Sequence, residues 1–233
     1  MKYFDLAVSL KNSKKSTEER EKYFVKAVLS WGKRNLREFS WRNKCTPYKT
    51  FIAEILLKRT TSTAANNTYK DFLKKFPDIN SLYNSEIKKI ETILKPIGLY
   101  KQRSRGLKEA AENIVKVHNG VLPYKYEELI KIPHIGAYTA GAIVSFGYDK
   151  PEPIVDSNIR RIINKVFSDI LNINRSDKDI RELLKKVMPK RKHKIFNWSL
   201  LDLGATICSY RFQKCVGCPL NKVCFYFWEK REI

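Results

Sequence analysis

Apolar residues recur at intervals of three and four along almost the whole chain, the spacing of one helix face rather than of a strand. After Ser16-Thr17-Glu18-Glu19, which reads as a capping box, Phe24, Ala27, Val28 and Trp31 follow at helical spacing. Thr46-Pro47 is an N-cap and first-turn pair, predicting a helix to about Arg59. Further helices are predicted near 63–76, 85–95, 102–118, 125–131, 137–146, 157–168, 176–187 and 193–208. Asn119-Gly120 and Gly147 stand where helices should stop. There is no pair of alternating segments to build a sheet and no repeat of fixed period. The pattern predicts an all-α protein.

Composition narrows the class. With 233 residues, 43% of them hydrophobic, the chain can bury a core as one large or two small domains. No apolar run reaches the roughly 18 residues that a membrane-spanning helix needs. The start, MKYFDLAVSLKNSKK, lacks the apolar stretch and cleavage site of a secretory signal. An intracellular protein is expected. Charge sharpens this: 46 Lys and Arg against 24 Asp and Glu give +22, spread over the chain rather than gathered in a tail. Such self-repulsion is relieved by a polyanion, and nucleic acid is the leading candidate.

Four of the five cysteines, Cys208, Cys215, Cys218 and Cys224, fall in the last 26 residues with the spacing C-x6-C-x2-C-x5-C. Disulfides suit small secreted domains, not a long lysine-rich chain. Four thiolates suit tetrahedral zinc or an iron–sulfur cluster, and the asymmetric spacing leans toward the cluster over paired knuckles. Cys45 reads as a buried or idle thiol.

Three segments carry further chemistry. Ile132-Pro133-His134-Ile135-Gly136 is a tight turn leading into a helix, of the kind whose backbone N–H groups bind phosphate. Asp156 precedes a helix and on spacing alone reads as its N-cap. Glu54 is the only charge in Phe51-Ile52-Ala53-Glu54-Ile55-Leu56-Leu57. Desolvation there would favour its protonated form, whereas pairing with Lys58 at i+4 is the plainer role.

Taken together, residues 129–168 resemble the helix-hairpin-helix and downstream aspartate of the endonuclease III superfamily of DNA glycosylases. The cysteine spacing matches that family's 4Fe–4S loop throughout, and residues 46–63 resemble its opening helix. The resemblance implies two helical domains. Residues 43–150 would form a six-helix barrel with the hairpin; 1–42 with 151–233 would form the cluster domain, loop 208–224, with the active site in the cleft between. It implies that Asp156 stabilises the sugar cation and that Glu54 assists departure of the base. Arg59 and Leu99 would enter the gap left by a flipped base. Trp41 and Asn158 would lie near the base pocket and the aspartate, and His134 and Gly136 would form the phosphate-binding turn.

His134 departs from the hairpin glycine usual in the family, although His tolerates positive φ better than most residues. Tyr138 stands where strand-cutting members carry lysine, and a phenol cannot form a Schiff base. Tyrosine here, with Leu57-Lys58-Arg59-Thr60-Thr61, is similar to the mismatch-specific thymine and uracil branch. The chain ends nine residues after Cys224, without the further domain usual in adenine glycosylases. The expectation is a monomeric, monofunctional glycosylase acting on thymine or uracil opposite guanine in double-stranded DNA. The alternatives are an adenine glycosylase acting opposite 8-oxoguanine or guanine, and a non-catalytic, metal-containing DNA-binding protein.

Overall fold

A computed structural model describes residues 14–169 and 176–229. Among these the regular structure is helical, with one isolated antiparallel bridge, Cys208 with Gln213. The helices are α1 (Lys14–Asn35), α2 (Pro47–Leu57), α3 (Ser62–Lys75), α4 (Ile79–Tyr83), α5 (Ile87–Leu94), α6 (Tyr100–His118), α7 (Tyr126–Leu129), α8 (Ala137–Ala142), α9 (Ser157–Val166), α10 (Asp177–Val187), α11 (His193–Thr206) and α12 (Phe225–Glu229). No helix among the described residues is long and apolar enough to cross a membrane. Glu38–Glu152 form one compact unit; the segments flanking it, up to Arg37 and from Pro153, form the other.

Local signals set most helix ends. Thr46 caps α2, its side chain accepting the Lys49 N–H at 3.2 Å, with Pro47 in the first turn. α6 stops at Asn119 and Gly120, both left-handed (φ 52° and 76°), with the Gly120 N–H donating to the Ile114 carbonyl at 3.0 Å. The capping box read at Ser16 is not a helix start: α1 already runs from Lys14, so Ser16 stands inside it. The helix has a longer buried stripe than four residues of capping signal could reveal, with Arg20, Phe24 and Val28 all buried. The short helix α4 lies between two predicted ones. Asp78 and Ser81 cap it reciprocally, a box without the usual Glu.

The Glu38–Glu152 unit is built around α2, whose Phe51, Ile52 and Leu56 are wholly buried. Packed on it are α3, α6 and α8. α8 does not end as an α-helix but loosens into a π-turn over Ile143–Gly147, which packs along α2. Gly147 is needed for proximity rather than for turn geometry. A Cβ there would lie 2.7 Å from Pro47 Cα and 2.9 Å from Pro47 N, atoms of a backbone that cannot step aside. Gly147→Ala is therefore expected to cost about 1–3 kcal/mol, measured as a lower Tm. An unchanged Tm would show that the approach of this turn to α2 is looser than described.

In the other unit α1 packs against α11, and α9 lies against α10, α11 and α12. Phe24 meets Phe167 and Phe196 edge to face at centroid distances of 5.4 and 6.1 Å. Arg20, 2% exposed, is held by Asp169 at 2.6 Å and by the Val166 carbonyl at 2.6 Å. A buried guanidinium is tolerable only with such partners.

Candidate active site and nucleic-acid interface

Asp156 precedes α9 with extended backbone, and its carboxylate is fully engaged. Oδ1 accepts the Ile159 N–H at 2.8 Å, the cap predicted from position, while Oδ2 accepts from Asn158 Nδ2 at 3.0 Å. Asn158 is fixed in turn by Arg161, whose Nη2 donates to its Oδ1 at 2.7 Å. The same guanidinium donates through Nε to the Cys208 carbonyl at 2.7 Å and through Nη2 to the Gly204 carbonyl at 2.8 Å. A continuous chain of hydrogen bonds thus runs from the first cysteine of the loop to the aspartate. It requires close approach of α9 and α11: a Cβ on Gly204 would fall 2.6 Å from that of Asn158. Burial raises the Asp156 pKa above the usual carboxylate range, against the opposing pull of these hydrogen bonds and of the Arg161 charge.

All four clustered cysteines line one small cavity of about 30 Å³ together with Lys165, Ile207, Lys214, Asn221, Tyr226 and Phe227. None is in a disulfide. Burial pushes the Cys218 thiol up to about 11 and that of Cys224 up to about 12, with the neighbouring thiols adding to the shift. Four half-buried thiols gathered around one space are a donor set suited to a cationic centre. Among the described residues, no three His, Cys, Asp or Glu side chains converge on a single-ion point. The four thiols surround a space instead.

In the Glu38–Glu152 unit the hairpin turn lies between α7 and α8. His134 takes the left-handed conformation (φ 65°) that glycine would adopt most easily. Its ring lies over Gly106, where a Cβ would meet Nδ1 at 3.0 Å, and its Nε2 is 2.6 Å from Glu109 Oε2. A glycine on the facing helix accommodates the departure from the family's turn. Gly136 is the N-cap of α8 and has open space around it. Tyr138, half-buried, follows in the first turn of α8.

Glu54 is buried, at 7% exposure, on α2, which packs against α8. Trp41 stacks on Phe39 at 4.5 Å and meets Tyr69 edge-on. Cys45, expected to be a buried or idle thiol, is half-buried and donates its thiol to the Trp41 carbonyl at 3.2 Å.

Arg59, Leu99 and His134 come together on one cavity of about 180 Å³, which Ile55, Lys58, Gln102, Arg103 and Gly106 also line. Arg59 and Leu99 both have left-handed backbone, at φ 54° and 52°, and Leu99 is exposed. Neither residue type favours that region; such strain concentrates where chemistry or binding needs it. Sequence reasoning passed over Arg103 and Arg161, whose acceptors are mostly backbone carbonyls supplied by distant segments.

Comparison with known proteins places the chain. Residues 52–190 match the model of the HhH-GPD superfamily base excision DNA repair proteins. A thymine/uracil-DNA glycosylase from Methanothermobacter thermautotrophicus is 32% identical over 213 residues, covering 91% of this chain and 96% of that protein. An adenine DNA glycosylase from Buchnera aphidicola subsp. Baizongia pistaciae is 35% identical, but this chain spans only 57% of its length. Among solved structures, a thermostable thymine-DNA glycosylase superposes with a TM-score of 0.86 at 33% identity, over 92% of this chain and 99% of that one. Endonuclease III bound to DNA shares the fold, with a TM-score of 0.78 at 21% identity over 91% of this chain and 97% of that one. The helical fold, the hairpin and the matched segment agree, and the chain belongs to the HhH-GPD superfamily of base excision DNA repair proteins, as a DNA glycosylase.

Proposed function

We propose that the chain is a monofunctional, mismatch-specific glycosylase that hydrolyses the N-glycosidic bond of thymine or uracil paired with guanine, leaving an abasic site. The observation that carries this reading is the carboxylate of Asp156, oriented through both oxygens and desolvated. Breaking the bond between sugar and base leaves positive charge on the sugar, and a fixed anion stabilises it more than mobile water does. The electron pair departs with the base, water adds to the sugar carbon, and water's surplus proton leaves. Glu54 is assigned to protonating the departing base. Tyr138 offers no amine for a covalent sugar intermediate, so water is the nucleophile and the strand stays intact.

Double-stranded DNA is the partner, met by the basic surface and by the hairpin turn at His134 and Gly136, with the protein acting as a monomer. Arg59 and Leu99 take the place vacated by the flipped base. Asn158 aligns Asp156, and Trp41 is assigned to the base pocket. The barrel is assigned to the Glu38–Glu152 unit, slightly wider at each end than the 43–150 expected, and the cluster domain to the segments flanking it, in place of 1–42 with 151–233. Cys208, Cys215, Cys218 and Cys224 would hold a 4Fe–4S cluster, whose contribution when bound is to tie four points of the loop to one centre. A second reading, an adenine glycosylase, is favoured by the 35% identity to the Buchnera protein.

Duplexes carrying G:T, G:U and 8-oxoguanine:A pairs distinguish the readings. Release of thymine and uracil is expected, with strand breakage only after alkali. Release of adenine alone, or breakage without alkali, would overturn the proposal.

A further inference from the structure

On α6 a charged residue occupies the buried stripe. Arg103, Leu107, Ala110, Ala111 and Ile114 follow at helical spacing, and all are buried, Arg103 to 7% exposure. A guanidinium in that position must find acceptors, and every nitrogen finds one. Nη1 donates to the carbonyls of Ile55 (2.6 Å) and Leu56 (3.1 Å), and Nη2 to the Lys58 carbonyl and to Thr60 Oγ1 (2.6 Å). Nε donates to the Gly98 carbonyl at 3.1 Å. The first of these acceptors are the last carbonyls of α2, which have no helical donor and carry the negative end of its dipole.

These acceptors bracket the two strained residues. Arg59 sits between Lys58 and Thr60, both held by Nη2, and Leu99 directly follows Gly98, held by Nε. Left-handed backbone at an arginine and a leucine persists only where the surroundings impose it. A planar fork reaching both loops imposes it on both at once, which a lysine's single ammonium cannot do. Lys58 extends the brace by donating to the His134 carbonyl at 3.0 Å, so the hairpin turn joins the same framework.

We propose that Arg103 is a positioning residue that locks the Arg59 and Leu99 loops in one register, so that the two side chains enter the base stack as a unit. This rests on the reading of Arg59 and Leu99 as the stack-entering pair. Arg103 itself, spent on internal acceptors, need not touch DNA.

The test uses the full chain and a duplex bearing whichever base the parent protein releases, with 2-aminopurine beside it to report unstacking. For Arg103→Lys, the fluorescence rise and the single-turnover release rate should both fall about 10- to 100-fold. Affinity for undamaged duplex should stay within about threefold, because phosphate contacts dominate it. Thr60→Val, which removes one acceptor from an exposed loop, should move the same two readouts by severalfold, and it decides the matter should Arg103→Lys not fold. A fluorescence rise per folded molecule that matches the parent in Arg103→Lys, or in Thr60→Val should Arg103→Lys not fold, would overturn the proposal. Arg59→Ala and Leu99→Ala separate the two levels. If both keep the parental rise, the reading of the pair fails. If they lose it while Arg103→Lys keeps it, only the role of Arg103 fails.

Discussion

Asp156→Asn is expected to reduce base release by at least roughly 10²–10³-fold, the scale for losing one preorganised electrostatic group, with a Tm close to that of the parent chain. The amide retains an oxygen for the Ile159 N–H, so the cap of α9 survives, while its NH2 faces the Asn158 Nδ2 donor and gives up that one hydrogen bond, offsetting part of what removing the buried charge gains. What it lacks is charge. Burial raises the Asp156 pKa, meaning that the folded state resists the ionised form. A raised pKa contributes stability at low pH that is lost as pH rises through the folded value. At neutral pH the parent chain bears that cost and the variant does not, so the two should converge in stability as the medium is acidified. Activity is expected to follow the opposite limb, falling as pH drops through the raised pKa of the carboxylate the proposed reaction uses. Thermal melts and a pH–rate profile check both signs. A variant that loses activity only in step with its folded fraction would assign Asp156 to capping alone.

Arg161→Ala is expected to be the second most damaging change, because one side chain serves four acceptors. Its loss strips the carbonyls of Cys208 and Gly204 of a donor and frees Asn158 to turn away from Asp156. Stability should fall by about 1–3 kcal/mol, the cost of leaving such groups unpaired. Base release should fall up to about 10²-fold through misalignment. A further consequence separates it from ordinary destabilisation. The Arg161 charge holds the Asp156 pKa down against burial, so removing it moves the acid limb of the rate profile to higher pH. Arg161→Lys, keeping a charge without the fork, should restore part of that shift and little of the alignment. An acid limb at the parental pH in the alanine variant would break the link between the cysteine loop and the aspartate.

Much of this was legible in the order of residues because the determinants are local. Thr46-Pro47 caps a helix wherever it stands, and Asn119-Gly120 stops one. The gathering of four cysteines on one cavity follows from spacing too short to scatter them. Other features are settled by tertiary approach. The π-turn after α8 depends on its packing against α2, and the α4 cap uses Ser81 where a glutamate would have been looked for. Arg103 left a trace, as the one charge in an otherwise buried stripe, but which carbonyls it would reach was not readable. Arg161 left less, since it needs Gly204 to bring α11 against Asn158.

The division of the chain also bears on how it is made. α1 is synthesised early, yet it packs against α11, which begins at His193, with the whole Glu38–Glu152 unit between them. At roughly 5–20 residues per second, α1 waits on the order of 8–30 s for its partner while the intervening unit, continuous in sequence, can already fold on the ribosome. The segment that holds Asp156 in place and the loop bearing the cysteines are completed only after that unit. A nascent chain would therefore present a folded hairpin unit well before it could break a glycosidic bond.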